Sequence, residues 1–262
     1  MSGLRYVYAV CRPFGTPLPA QLSGVAGVPP KQLVHHDLVA VVGQVPEEDF
    51  SEEPLRAHLE DLDWLGATAR AHQNVIDALT VVTSPLPLRL ATVFRDDSGV
   101  RTMMEEREET FLRTLDRLDG RVEWGVKVYS EPRDTENPQA SGAPGDGPGS
   151  SPAKAASGRD YLRRRRDQRK ESEERWERAE EFARRLHESL SEGAEDTRIH
   201  APQDSALSGA PGRNILNAAY LVPRTESEAF VELVDRTKDD TPGLRVELTG
   251  PWAAYSFTGE DA

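Results

Sequence analysis

The sequence predicts an α+β protein of two domains, and three observations carry the prediction. Short apolar runs bounded by Pro, Gly and Asp read as strands. Between them the apolar spacing changes to every third or fourth residue, which reads as helix. At residues 131–157 the chain turns to Pro, Gly, Ser, Ala and Asn with almost nothing apolar, a composition that cannot offset the entropy of ordering itself. The 262 residues suit one large domain or two ordinary ones. The expected division is 1–120, an α+β domain, and 121–262, a second domain carrying 131–157 as a flexible loop.

Residues 4–10 form the first expected strand, and a Pro/Gly-rich connection follows from Pro13 to Pro30. Leu33-Val34 and residues 38–42 read as one or two further strands, ended by Pro46. Leu55, Leu59, Leu62, Leu65, Ala69, His72, Ile76 and Leu79 then share one helical face, with Ser51 as expected N-cap and Pro85 as the stop. A short strand at 91–94 precedes a second helix after Ser98, striped by Val100, Met104, Arg107, Phe111, Leu115 and Leu118 and closed by Gly120. Residues 122–129 read as a strand. A long helix opens at Ser157 or Asp160 and ends near Gly193, with Trp176, Ala179, Phe182, Ala183, Leu186 and Leu190 facing inward. A weak strand at 197–200, a loose stretch at 202–212 and a strand at 215–222 follow. Thr225 with Glu228 suggests a capping box before a helix carrying Phe230 and Val234. Residues 244–248 form the last strand. From Val122 the order is βαββαβ, that of a ferredoxin-like domain.

Net charge is −13, which argues against generic nucleic-acid binding, since that depends on basic surface to release counterions. Cys11 is the only cysteine, so no intrachain disulfide, Cys-rich zinc site or CxxC pair can form. No stretch approaches the ~20 apolar residues that cross a bilayer, and residues 1–10 are too short for a signal peptide. The expectation is a cytoplasmic protein with no membrane contact. No phosphate loop, HExxH, GxSxG or GxGxxG is present. His35-His36-Asp37 could seed a metal site, but strand neighbours point to opposite faces. His72 lies on an apolar helix face and reads as a core histidine. No catalytic residue, cofactor or metal is expected, and the chain is expected not to be an enzyme.

Six strings, in order and spanning both ends, resemble the GvpL/GvpF family of gas vesicle proteins. They begin with Tyr6-Val7-Tyr8-Ala9-Val10, Pro87-Leu88-Arg89-Leu90-Ala91-Thr92-Val93-Phe94 and Trp124-Gly125-Val126-Lys127-Val128-Tyr129. Gly158-Arg159-Asp160-Tyr161-Leu162-Arg163-Arg164-Arg165, Asn217-Ala218-Ala219-Tyr220-Leu221-Val222 and Gly250-Pro251-Trp252-Ala253-Ala254-Tyr255-Ser256-Phe257 complete the set. Leu90 stands where the family usually has phenylalanine, and Ala253 and Ala254 where it has prolines. The resemblance implies an N-terminal α+β domain, a modified ferredoxin-like C-terminal domain and no catalysis. It further implies a role as a minor component of gas vesicle assembly, in contact with the small shell protein and other gas vesicle proteins. The alternative is a ferredoxin-like regulatory or small-ligand-binding module without catalysis.

Candidate partner-binding residues are Arg89, Arg163, Arg164, Arg165, Arg166 and Arg169. Arg89 sits in an apolar run and is expected half-buried and ion-paired, with a partner contact as the alternative. In the long helix, residues 159–170 carry seven basic and two acidic side chains, a net of +5. Residues 171–192 carry four basic and eight acidic ones, a net of −4. The helix dipole favours the reverse order, so intrinsic stability does not account for it; the order marks either an electrostatic docking surface or a merely solvated helix face. Pairs such as Glu174 with Arg178 would soften the charge. Two copies pairing antiparallel, basic half on acidic half, would give a homodimer.

Overall fold

Strand β1 (Leu4–Cys11) lies at the centre of a five-stranded sheet, buried from Tyr6 onward. The computed structural model describes residues 3–130, 158–202, 212–238 and 242–259, except the side chains of 158–162, 164 and 168. The expected loop at 131–157 therefore lies outside the described residues. The architecture is α+β, as the alternation of spacings predicts. The chain divides into two compact units, Met1–Trp124 with Leu221–Ser227 and Thr249–Ala262, and Gly125–Tyr220 with Glu228–Leu248.

In the first unit, β2 (Lys31–His35) and β3 (Leu38–Val45) form a hairpin, paired antiparallel from Lys31↔Val42 to His35↔Leu38. His36 and Asp37 make its two-residue loop, and His36 takes φ 49°, as the tight hairpin turns require. β3 pairs antiparallel with β1, and the register shifts between Val7 and Ala9, so Tyr8 is the extra residue of a bulge. β4 (Leu86–Pro87) and β5 (Val93–Phe94) both pair with β1, giving the order β2-β3-β1-β4 with β5 also on β1. Tyr6, Tyr8, Val41, Phe50, Val75, Ile76, Leu79 and Ala253 belong to one buried core.

The helical stretch expected from Ser51 to Pro85 is three helices. They are α1 (Glu47–Phe50), α2 (Glu52–His58) and α3 (Leu62–Val82). Ser51 stands at the start of α2 without a side-chain cap. The cap that forms is Asp61, whose carboxylate accepts from the amides of Asp63 at 2.9 Å and Trp64 at 3.2 Å. Leu62, expected on the inner face, is 81% exposed because the break resets the helical phase. The second expected helix is likewise two, α4 (Asp97–Glu106) and α5 (Glu108–Leu118), broken at Arg107 with φ −117° and ψ 12°. Asp96 caps α4, and Gly120 follows α5 at φ 69°, where glycine bears no Cβ penalty.

β6 (Arg121–Ser130), β7 (Asp196–Ile199), β8 (Arg213–Pro223) and β9 (Leu244–Trp252) form a four-stranded sheet in the order β7-β8-β6-β9. α6 (Gly158–Glu192) and α7 (Ser227–Thr237) complete the chain order β6-α6-β7-β8-α7-β9. Thr225 does not cap α7; it lies in a 3-10 turn, Arg224–Glu226, that leads into it. In the second unit Ala179, Phe182, Ala183, Leu186 and Leu190 of α6 are buried, as their spacing predicts. Trp176 is covered by the Arg213 guanidinium, 4.1 Å from its ring centre. His187 Nδ1 meets the Tyr220 hydroxyl at 2.8 Å, and Tyr220 packs on Phe230 of α7.

Candidate functional site

His35 and His36 stack at 4.2 Å between ring centres, so the turn brings together two rings that a continuous strand would have set apart. His36 Nδ1 lies 3.4 Å from the Glu108 carboxylate. Among the described residues, no group of three or more His, Cys, Asp or Glu side chains is placed to hold a metal ion. Burial pushes the Cys11 thiol up to about 12, so it is not a nucleophile at neutral pH. His72 is 3% exposed on α3, a core position as expected.

His72 is also where three distant strings meet. The Tyr6 hydroxyl accepts from the amide of Ala91 at 3.1 Å and meets His72 Nδ1 at 2.9 Å. Tyr255 packs on the His72 ring, and its hydroxyl donates to Gln73 Oε1 at 3.0 Å. The chain from Pro87 to Phe94 folds around β1: Leu88 N donates to Tyr8 O, and Val7 N donates to Thr92 O. Ala91, at φ 64°, makes the tight turn between them.

Glu123 is the buried charge that sequence reasoning missed. It is 9% exposed, and its carboxylate accepts from Ser256 N and Ser256 Oγ, both at 2.7 Å. The partners are 133 residues apart, so no local pattern announces them. Arg117 Nη2 adds a bond to Phe257 O at 2.9 Å. The tail 253–257 is thus tied into the first unit by Glu123, Gln73 and Arg117. Ser256→Ala is expected to cost about 1.5–3 kcal/mol, the worth of a hydrogen bond to a buried charge. Urea unfolding would check it, with Thr258→Ala, whose hydroxyl donates to the Tyr255 main-chain oxygen at 3.1 Å, as the comparison.

Arg89 is exposed, not half-buried, because β4 ends at Pro87 and Leu88 takes the inward place at 3% exposure. On α6, Arg163, Arg165, Arg166 and Arg169 are exposed, and the side chain of Arg164 lies outside the described ones. Arg89 belongs to the first unit and the α6 arginines to the second. The acidic half of α6 has pairs of its own, Arg184 with Glu181 and Glu188 and Arg185 with Glu181, and Lys170 of the basic half reaches Glu174. The hydrogen bond from Arg184 holds Glu181 below the usual carboxylate range. Arg178 does not pair with the Glu174 carboxylate; its Nε donates to the Glu174 main-chain oxygen at 3.1 Å. No ion pair joins Arg163, Arg165, Arg166 or Arg169 to another described residue.

The described residues thus make an α+β scaffold that carries charge on one long helix and a hydrogen-bonded tail in the first unit. The family described as "Gas vesicle synthesis protein GvpL/GvpF" matches residues 4–259, and the chain belongs to that family. It is 58% identical to Gas vesicle protein L of Streptomyces sp. (strain CB03234) over 256 residues, covering 98% of this chain and 93% of that one. It is 28% identical to Gas vesicle protein F of the same strain, over 96% of this chain and 98% of that one. Its fold is similar to the crystal structure of the gas vesicle protein GvpF from Anabaena sp. PCC7120, with a TM-score of 0.68 at 17% identity, covering 100% of this chain and 98% of that chain. The GvpF structure from Microcystis aeruginosa gives a TM-score of 0.63 at 17% identity, over 99% and 100% of the two chains. Among the described residues no helix is long and apolar enough to cross a membrane.

Proposed function

We infer that this chain is a gas vesicle assembly component that works in the cytoplasm by binding other gas vesicle proteins, the small shell protein among them, and catalyses no reaction. The observation that carries the reading is the family match over residues 4–259. The higher identity to a protein L than to a protein F supports an L-like member. The order β7-β8-β6-β9, with α6 and α7 as crossovers, supports a ferredoxin-like second domain.

The basic start of α6 is the contact this reading favours, since Arg163, Arg165, Arg166 and Arg169 are exposed, whereas Glu181 and Glu188 of the acidic half are paired within the helix. Arginine suits bidentate contact with partner carboxylates. Changing Arg163, Arg164, Arg165 and Arg166 to Gln together is expected to weaken capture of the purified shell protein about tenfold at low salt. The difference should shrink as salt rises, because exposed charges are screened over ~8 Å at physiological ionic strength. Unchanged binding and unchanged self-association, with melting temperature preserved, would leave these arginines as solvated surface.

A further inference from the structure

The corner where α2 meets α3 in the first unit leaves two leucines in water. Leu62 is 81% exposed and Leu59 42%, and among the large apolar side chains exposed in the described residues they alone lie within one helical turn of each other in sequence. Three residues of chain span at most about 11 Å, so one partner surface meets both.

The corner is held in one shape. The Asp61 carboxylate accepts from the amides that open α3. The Trp64 ring stacks on His58 at 4.7 Å and packs on the buried Phe50 at 5.3 Å, and His58 Nε2 lies 3.5 Å from the Asp49 carboxylate. The leucines therefore stand on an ordered base, which lowers the cost of binding to them.

Carboxylates surround the pair. Residues 47–63 hold eight Asp or Glu, one arginine and no lysine, a net of −7 in a chain whose total is −13. The arginine, Arg56, is taken by Glu52 at 3.5 Å within α2. Glu47, Glu48, Glu53, Glu60 and Asp63 are exposed and form no ion pair with another described residue. Helix dipoles favour the acids that open α1, α2 and α3. They do not account for Glu60, just past the end of α2, or for the uncovered leucines.

We propose that this corner docks a basic amphipathic helix of a partner protein, its apolar stripe on Leu59 and Leu62 and its Lys or Arg side chains on the surrounding carboxylates. Charge complementarity selects this occupant. A neutral apolar segment would cover the leucines while taking carboxylates out of water without a counter-charge. An acidic segment would be repelled. A helix suits the site because apolar residues three or four apart share one face, with cations beside them. The proposal rests on the reading that the chain works by binding, but it uses another unit and the opposite charge from the α6 arginines.

The test titrates a fluorescein-labelled peptide of leucine and lysine only, leucines at helical spacing, against the full chain and its variants. Affinity should fall about tenfold in L59S/L62S. It should fall roughly fivefold in E48Q/E53Q/E60Q at low salt, and that difference should shrink as salt rises. Changing the same number of exposed acids elsewhere in the first unit, E105Q/E106Q/E109Q, should leave affinity unchanged. Glutamate in place of the peptide's lysines should abolish binding, and serine in place of its leucines should weaken it about tenfold. No binding to wild type, or unchanged affinity in an L59S/L62S protein that melts near wild type, would overturn the proposal. If that double variant does not fold, L62S alone decides in the same way. An equal loss in the two glutamine triples would assign binding to overall charge and sink the corner. Self-association of wild type that disappears in L59S/L62S would assign the face to a second copy and overturn the proposal too. Capture of the shell protein by the α6 variant is a separate measurement, so either reading can fail alone.

Discussion

Gly24→Ala should destabilise the first unit by roughly 3–5 kcal/mol, a core-overpacking cost at the upper end of single substitutions. A Cβ at this position would stand 2.2 Å from the Tyr8 hydroxyl oxygen and 2.9 Å from its ring carbon. The tyrosine cannot step aside, because it is fully buried in the β1 bulge and its hydroxyl accepts from Val25 N at 2.8 Å. Gly43 crowds the same hydroxyl from β3, at 2.8 Å from its would-be Cβ. Backbone strain plays no part, since Gly24 has φ −95°. Two glycines are therefore required by one phenol. The shared cause makes the substitutions coupled: Tyr8→Phe alone should cost about 1–3 kcal/mol by orphaning the Val25 amide. Adding Gly24→Ala to Tyr8→Phe should cost less than Gly24→Ala in wild type, by more than ~1 kcal/mol. Denaturant unfolding of the four proteins in the cycle measures this. Additive effects would mean the glycine is needed for something other than the hydroxyl.

The same cluster shows what was legible in the sequence and what was not. β1, β3 and β8 were readable as largely apolar runs ended by Pro, Gly or a polar turn, and β6 by its alternation. The inward face of α6 was readable because five of its six named positions recur at helical spacing and are buried. The break at residues 59–61 was not, since leucines continue at positions 55, 59, 62 and 65 and the apolar rhythm hides the cap at Asp61. Arg89 was misplaced for a related reason. An apolar run says nothing about where a two-residue strand stops and a left-handed turn at Ala91 begins. The family strings were legible as strings, but not the reason they belong together. Tyr6, His72, Ala91 and Tyr255 meet through bonds and ring contacts spanning up to 183 positions of chain, and spacing rules reach only one or two helical turns.

His72 should make the first unit acid-sensitive through a window set by its own burial. The Tyr6 hydroxyl takes the Ala91 amide as acceptor, so its proton goes to His72 Nδ1, and the imidazole carries its own proton on Nε2. That Nε2 is buried with no hydrogen-bond partner among the described residues. The groups facing the ring are Tyr6 and Tyr8 from β1 and Tyr255 from the tail. Both tyrosines of β1 are pushed up by burial, Tyr8 to about 12, so neither offers a negative charge to an imidazolium. Tyr255 is raised by burial as well. Desolvation accordingly lowers His72 from 6.5 to about 4. With a folded value below the unfolded one, the unfolded chain binds the extra proton between these pH values. The stabilisation is fully present above about pH 6.5 and is lost as pH falls toward 4. Between pH 7 and pH 4.5 the loss is about 2–3 kcal/mol from this group. Carboxylates also titrate in this range, so the informative quantity is a difference. His72→Gln keeps an acceptor for the Tyr6 hydroxyl and removes the titration; it should be less stable than wild type at pH 7 but lose about 2–3 kcal/mol less on acidification to pH 4.5. Parallel stability curves for the two proteins would show that the ring is not held neutral by the fold.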